Sequence, residues 1–190
     1  MSYRTNRLDE RVLELLRQGG VGFMPSDTIY GLSCRALDEP AVERIYRLKH
    51  RDSDKPLIVL IANISQLQQL RIDQIQAQPA KKYWPGGLTI ICQAPKAPYY
   101  LHRGTNSLAV RLPDDNNLCE LINNVGPLIS TSANTQGDNS AGSITEAQEY
   151  FGDQLDFYVD AGELSSRKPS TLVRNNNGKL EVIRTGVVKL

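Results

Sequence analysis

The sequence predicts an α/β fold built on a sheet of mixed strand direction. Amphipathic helical stretches alternate with short apolar, β-branched runs along most of the chain, the pattern of helices packed on a sheet. Near the carboxyl end, "STLVR" and "LEVIRTG" are joined through "RNNNGK", a hairpin signal that requires an antiparallel pair. The 190 residues, 40 % of them hydrophobic, suit a single domain spanning 1–190 with a sizeable core.

Leu8, Val12, Leu15 and Leu16 fall at helical spacing. They predict a helix from about Asn6 to Gln18, stopped by Gly19 and Gly20. "VGFM" reads as a strand ended by Pro25, and "PSDTIYGLSC" as a turn-rich segment re-entering a strand at Tyr30. Asp38 can cap a second helix with Glu39 and Pro40 in its first turn and Val42, Ile45 and Tyr46 as its apolar stripe. "LIVLIA" at 57–62 is a buried strand by content. "NISQLQQL" and "DQIQAQPAKKYW" read as short helices, and "LTIICQA" and "SLAVRLP" as strands. "QAPKAPYYLHRGT" at 93–105 is the expected long loop. "NNLCELINN" is a helix and "PLIS" a strand. "TEAQEYFG" is a helix with Thr145 as its expected cap, and "FYVDAG" opens the late strands.

Composition excludes several classes. Twenty-two Lys and Arg against 21 Asp and Glu leave a net charge of +1, so a wholly basic nucleic-acid binder is not indicated. Cys34, Cys92 and Cys119 are scattered and odd in number, which fits a reducing cytoplasm rather than a disulfide framework. The start has no apolar leader core, and no run reaches membrane-span length. His50 and His102 are the only histidines, so no His-rich metal site is expected. There is no GxxxxGK[ST], no well-placed GxGxxG, no GxSxG and no CxxC.

The chemistry-bearing residues lie at expected strand ends. In "RLKHRDSDKPL", Lys49 lies seven residues after Val42 and so continues the apolar stripe. A lysine facing a core must find an anion or reach out to water. Lys49, Arg51 and Lys55 together read either as a basic helix end complementing the helix dipole or as a clamp for polyphosphate. In "SLAVRLP", Arg111 shares its mid-strand face only with Ala109. It is either an arginine on an exposed sheet face or a fork aimed at a carboxylate or phosphate. "PSDTIYG" supplies Ser26, Asp27, Thr28 and Tyr30, and "SSRKPSTLV" supplies Arg167, Lys168, Ser170 and Thr171. Arg184 follows a late strand. "STSAN" at 130–134 ends a buried strand in hydroxyls and an amide, suited to an oxygen-rich ligand. Crevices at strand ends are where open α/β sheets bind ligands.

"PSDTIYGL", "KHRDSDKPLIVLI", "WPGGLTII", "SLAVRLP", "PLISTSAN" and "PSTLV" occur in the order expected of the YrdC/Sua5 family. The chain resembles its single-domain threonylcarbamoyl-AMP synthases from about Asp9 to Arg184. The resemblance implies a YrdC-like twisted mixed sheet flanked by helices, with a concave ligand-binding face. It implies a nucleotidyltransferase that converts L-threonine, bicarbonate and ATP to threonylcarbamoyl-AMP and pyrophosphate for tRNA t6A37 modification, with Mg2+ accompanying ATP. Its partners would be the threonylcarbamoyl transferase machinery, with tRNA or double-stranded RNA as further ligands. The catalytic set it implies is Lys49, Arg51, Ser132 and Asn134. The ATP contacts are Arg51, Lys55, Ser132, Ser140 and Arg184. The L-threonine contacts are Thr28, Arg111, Ser130 and Ser170. Ser26, Asp52, Leu60 and Gly87 depart from the family pattern. The alternative implied by the resemblance is a non-catalytic double-stranded-RNA or ribosome-maturation protein, and longer hydrogenase-maturation proteins embed a similar domain.

Overall fold

In the computed structural model the described residues are 1–135, 137–176 and 179–190. The strands are β1 (Tyr3–Thr5), β2 (Gly22–Met24), β3 (Gly31–Arg35), β4 (Ile58–Leu60), β5 (Leu88–Gln93), β6 (Ser107–Arg111), β7 (Leu128–Ser132), β8 (Phe157–Val159), β9 (Thr171–Asn176) and β10 (Lys179–Arg184). The helices are α1 (Glu10–Arg17), α2 (Glu39–Lys49), α3 (Tyr99–His102), α4 (Asn116–Val125) and α5 (Ile144–Phe151), with 3-10 turns at Ile64–Gln68, Gln74–Tyr83 and Gly152–Gln154. Among the described residues all strands join one sheet, ordered β1-β8-β2-β3-β7-β4-β6-β5-β9-β10. β1 and β2 pair parallel to β8, β4 to β6, and β5 to β9. The remaining neighbours are antiparallel, so the sheet is mixed.

Strand alternation divides the core in two. One face of the sheet carries Phe23, Leu32, Cys34, Ile129, Val59, Ile61, Leu108, Val110, Ile90, Cys92 and Val173 in the larger cluster, joined by Val42, Ile45 and Tyr46 of α2. The other face carries Met24, Leu60, Leu128, Phe157 and Val159, packed under Val12, Leu13 and Leu16 of α1 and Leu118, Leu121, Ile122 and Val125 of α4. Those two helices cover only part of this face. The rest is left for the site.

Local chemistry sets the helix ends. Asp38 accepts the Ala41 amide at 3.1 Å and starts α2 with Pro40 in its first turn. His50 ends it in a left-handed conformation, φ 47°. α1 starts at Glu10 rather than near Asn6, because Asp9 caps it by accepting the Val12 amide at 3.1 Å. Tyr3 and Thr5 of β1 donate to the same carboxylate at 2.8 and 2.9 Å. β1 itself escaped sequence reading, since three residues pairing with β8 at the far end of the chain leave no local signal.

Two further expectations change. Ser143, not Thr145, caps α5, accepting the Glu146 amide at 3.3 Å, because the helix already begins at Ile144. Residues 93–105 are not a free loop. α3 buries Leu101 and His102, while Arg103 stacks 4.0 Å over the Tyr46 ring and pairs with Glu43 at 2.6 Å. The segment is therefore pinned to α2, and none of it lines the cleft described below. The "RNNNGK" turn is only partly described, since Asn177 and Gly178 fall outside the described residues, but β9 and β10 pair antiparallel on either side of it.

Candidate active site

The uncovered part of the second face is a cleft of about 510 Å3. Register explains its floor. Ser130 lies opposite Ile58, Ile58 opposite Ala109, and Gly31 opposite Ser132. Period-two alternation then puts Arg111 on the same face, one step along β6. Gly31 is needed where the strands close in, because a side-chain carbon there would lie 2.8 Å from the Thr131 carbonyl oxygen.

Thr28, Arg51, Arg111, Ser130, Ser132, Asn134, Ser140, Ser170 and Arg184 all line this cleft, from elements up to 156 positions apart (28 to 184). Arg167 joins them. The described lining therefore carries four guanidiniums, those of Arg51, Arg111, Arg167 and Arg184, against one carboxylate, that of Asp138. Such an excess of cation over a hydroxyl-rich floor suits a polyanion. Among the described residues no cluster of three or more His, Cys, Asp or Glu could hold a metal ion.

Lys49 is placed differently from the other basic residues. It is only 2 % exposed and does not line the cleft. Its amine donates to the Ser132 carbonyl at 2.5 Å, the Asn134 carbonyl at 2.7 Å and Asn134 Oδ1 at 3.0 Å. Ser132 Oγ donates to the same Oδ1 at 2.7 Å, and Asn134 Nδ2 donates to the Asp138 carbonyl at 2.8 Å. The lysine thus lies under the loop after β7 and ties it down. Burial, with the Arg51 guanidinium nearby, pulls its pKa down to about 7.

Arg51 folds back over its own loop, donating to the Lys55 carbonyl at 3.1 Å, and still reaches the cleft. Lys55 does not. It is exposed, pairs with Asp52 three residues earlier and lies outside the lining, because that local partner is nearer than the cleft. Ser26 Oγ lies 3.0 Å from Thr28 Oγ1 and donates to the Ile29 carbonyl at 2.8 Å, which fixes the loop between β2 and β3.

Arg111 ends β6 rather than occupying its middle, and it is 3 % exposed rather than on a wet sheet face. Its Nη1 pairs with Asp27, and its Nε has no partner among the described residues. Arg184 donates to the Ser170 carbonyl at 2.9 Å and approaches Ser170 Oγ at 3.3 Å. Burial first, then the charge of Arg111, lowers its pKa. Ser170 Oγ also accepts from Thr89 Oγ1 at 2.8 Å. The Asp27–Arg111 pair spans 84 positions, so sequence could offer both residues but not their contact. The closure of the cleft by Leu164 and Ser165 against Gly142 was likewise invisible. Leu164 N donates to the Gly142 carbonyl at 2.9 Å, and a side-chain carbon at Gly142 would run into Ser165.

Among the departures from the family pattern, Leu60 is buried with α1 and α4. Gly87 makes room for Val187, whose Cγ1 fills the space a side chain there would need.

Comparison with known proteins agrees with this fold. Residues 14–186 match the Sua5/YciO/YrdC family, described as telomere recombination. The threonylcarbamoyl-AMP synthase of Cellvibrio japonicus is 36 % identical over 167 residues, covering 85 % of this chain and 87 % of that one. Pyrococcus abyssi Sua5 complexed with L-threonine superposes with a TM-score of 0.85 at 31 % identity, over 98 % of this chain but only 57 % of that one. Escherichia coli YciO superposes with a TM-score of 0.84 at 25 % identity, over 100 % of this chain and 98 % of that one. A family match over residues 14–186, with a relative 36 % identical across 85 % of this chain, places the chain in the Sua5/YciO/YrdC family.

Proposed function

We propose that this chain is a threonylcarbamoyl-AMP synthase, a nucleotidyltransferase acting on L-threonine, bicarbonate and ATP. The observation that carries this reading is the cleft itself, with its four guanidiniums, one carboxylate and rows of hydroxyls. The relatives named for that activity support it.

The chemistry asks for positive charge. The threonine amine and bicarbonate combine to a carbamate with loss of water. A carbamate oxygen then attacks the α-phosphorus of ATP, and the bond to the bridging oxygen breaks to release pyrophosphate. Two anions must meet, so fixed cations and donors supply most of the stabilisation. Arg51, Ser132, Asn134 and Ser140 would receive the phosphates, a role their common place in the cleft lining supports, and Arg184 would reach the nucleotide from its bond to Ser170. Lys49 serves by holding the Ser132–Asn134 loop in shape. Lys55 would reach a phosphate only by leaving Asp52. Thr28, Arg111, Ser130 and Ser170 form the proposed amino-acid end, with Arg111 toward the carboxylate. Mg2+ would be carried by phosphate oxygens and water, which matches a lining with a single carboxylate. The product would feed t6A formation on tRNA in the cytoplasm. No helix among the described residues is long and apolar enough to cross a membrane.

Pyrophosphate release from ATP tests this reading. Release requiring both L-threonine and bicarbonate is expected. Release independent of threonine would overturn it.

A further inference from the structure

Asp27 is a buried carboxylate that the proposed reaction does not use. Its side chain is 8 % exposed and it is absent from the cleft lining, although its neighbours Ser26 and Thr28 are both there. The self-bonded turn at 26–29 explains the division: Ser26 and Thr28 are locked toward the cleft, and the side chain between them turns behind it. There Asp27 Oδ1 accepts from Arg111 Nη1, while Oδ2 accepts the Asp114 amide at 3.1 Å. Asp27 is thereby fixed at both oxygens and holds one end of the guanidinium.

The opposite edge of Arg111 is much less engaged. Among the described residues Nη2 has only Ser26 Oγ, at the hydrogen-bond limit of 3.5 Å, and Nε is buried without a partner. A guanidinium presents two flat edges, each matched to a carboxylate. Here one end is anchored and the other keeps donor capacity beside the cleft. Arg184 adds a second guanidinium near enough to feel the charge of Arg111. Arg111 is buried with one carboxylate, and Arg184, itself exposed and bonded to Ser170, adds a second cation, so the pocket keeps an excess of positive charge that favours a further anion.

We propose that Asp27 is a positioning residue that fixes the orientation of Arg111 and so sets the preference of the amino-acid subsite for a carboxylate-bearing substrate. The proposal rests on the synthase reading and sharpens its amino-acid end. Asp27 acts through Arg111 and does not touch the substrate.

The test compares L-threonine with L-threonine amide, which lacks the charged carboxylate, as substrates for pyrophosphate release. The wild-type chain is expected to prefer threonine by a factor on the order of 100 or more in kcat/KM. In Asp27→Asn the KM for threonine should rise about tenfold, the KM for ATP should change less than twofold, and the preference over the amide should largely disappear. An unchanged preference in folded Asp27→Asn overturns the proposal. So does a lower KM for threonine, because it would mean that Asp27 competes with substrate for Arg111. If Asp27→Asn does not fold, Asp27→Glu keeps the charge and displaces it by one methylene. Its preference should also fall, and an unchanged value overturns the proposal. The wild-type control separates the two readings, since release that ignores threonine in that chain defeats the synthase assignment rather than the role of Asp27.

Discussion

Lys49 shows how one side chain can be read correctly in direction and incompletely in role. Its position on the apolar stripe of α2 announced that it points inward. Nothing local announced its acceptors, because Ser132 and Asn134 lie 83 and 85 residues away. Burial pulls the amine's pKa down to about 7, so it gives up part of its charge between pH 7 and 8 against three acceptors that favour the ammonium form. Triphosphate nearby favours its charged form and raises that pKa. ATP binding at pH 8 should therefore take up a proton, and affinity should fall as pH climbs above 7. Calorimetric titrations in Tris and in HEPES should give different apparent heats for the wild-type chain and equal heats for Lys49→Met. Equal heats in both proteins would remove the lysine from the nucleotide response. Lys49→Met should also fold, because an apolar isostere suits its burial. Its kcat/KM should fall by on the order of 100-fold, the loss expected when groups of the Ser132–Asn134 loop shift by about 1 Å from their working positions. A folded variant with full turnover would refute the role in shaping the loop.

Among the elements, the long helices and central strands were legible because their periodicity is local. Asp38 before Glu39 and Pro40 fixed the start of α2 at once. The short pieces were not legible: β1 exists by pairing with β8, and α3 exists by docking on α2, so both depend on partners distant in sequence. Asp38→Ala tests the cap that sets the helix carrying Lys49. It should cost about 1 kcal/mol, which for a chain of this size lowers Tm by roughly 2–4 °C. Thermal denaturation checks this, and no shift would mean that packing alone fixes the helix start. The seam between the 138–142 and 164–167 loops is a second element-level constraint. Gly142→Ala should push Ser165 away and open the cleft. Nucleotide affinity should then drop severalfold, and the melting temperature should also fall because the Ser165 backbone must move, measurable by equilibrium binding of ATP and by thermal denaturation.

At the scale of the molecule, sequence reading reached the class of fold and the mixed sheet but not the unequal cover of its two faces. That asymmetry comes from α1 and α4 packing over one end of the second face only, a fact of crossover geometry. It is also what collects motifs from 28 to 184 in one place. The carboxyl end contributes to the same wall. Val187 N donates to the Pro169 carbonyl at 2.9 Å, Val188 N donates to Thr171 Oγ1 at 3.0 Å, and Thr171 Oγ1 returns a bond to the Val188 carbonyl at 2.7 Å. Removing residues 187–190 should therefore raise the KM for threonine more than that for ATP, because Ser170 lies between the two anchored residues. Equal changes in both constants would assign the tail to general stability.

The same stitching has a mechanical meaning. Tension applied at Leu190 would travel through Val188 and Val187 and reach Thr171 and Pro169 before it loaded the central strands. The chain's last residues are thus a lever on Ser170, and a load hung from that end would deform the amino-acid side of the cleft first.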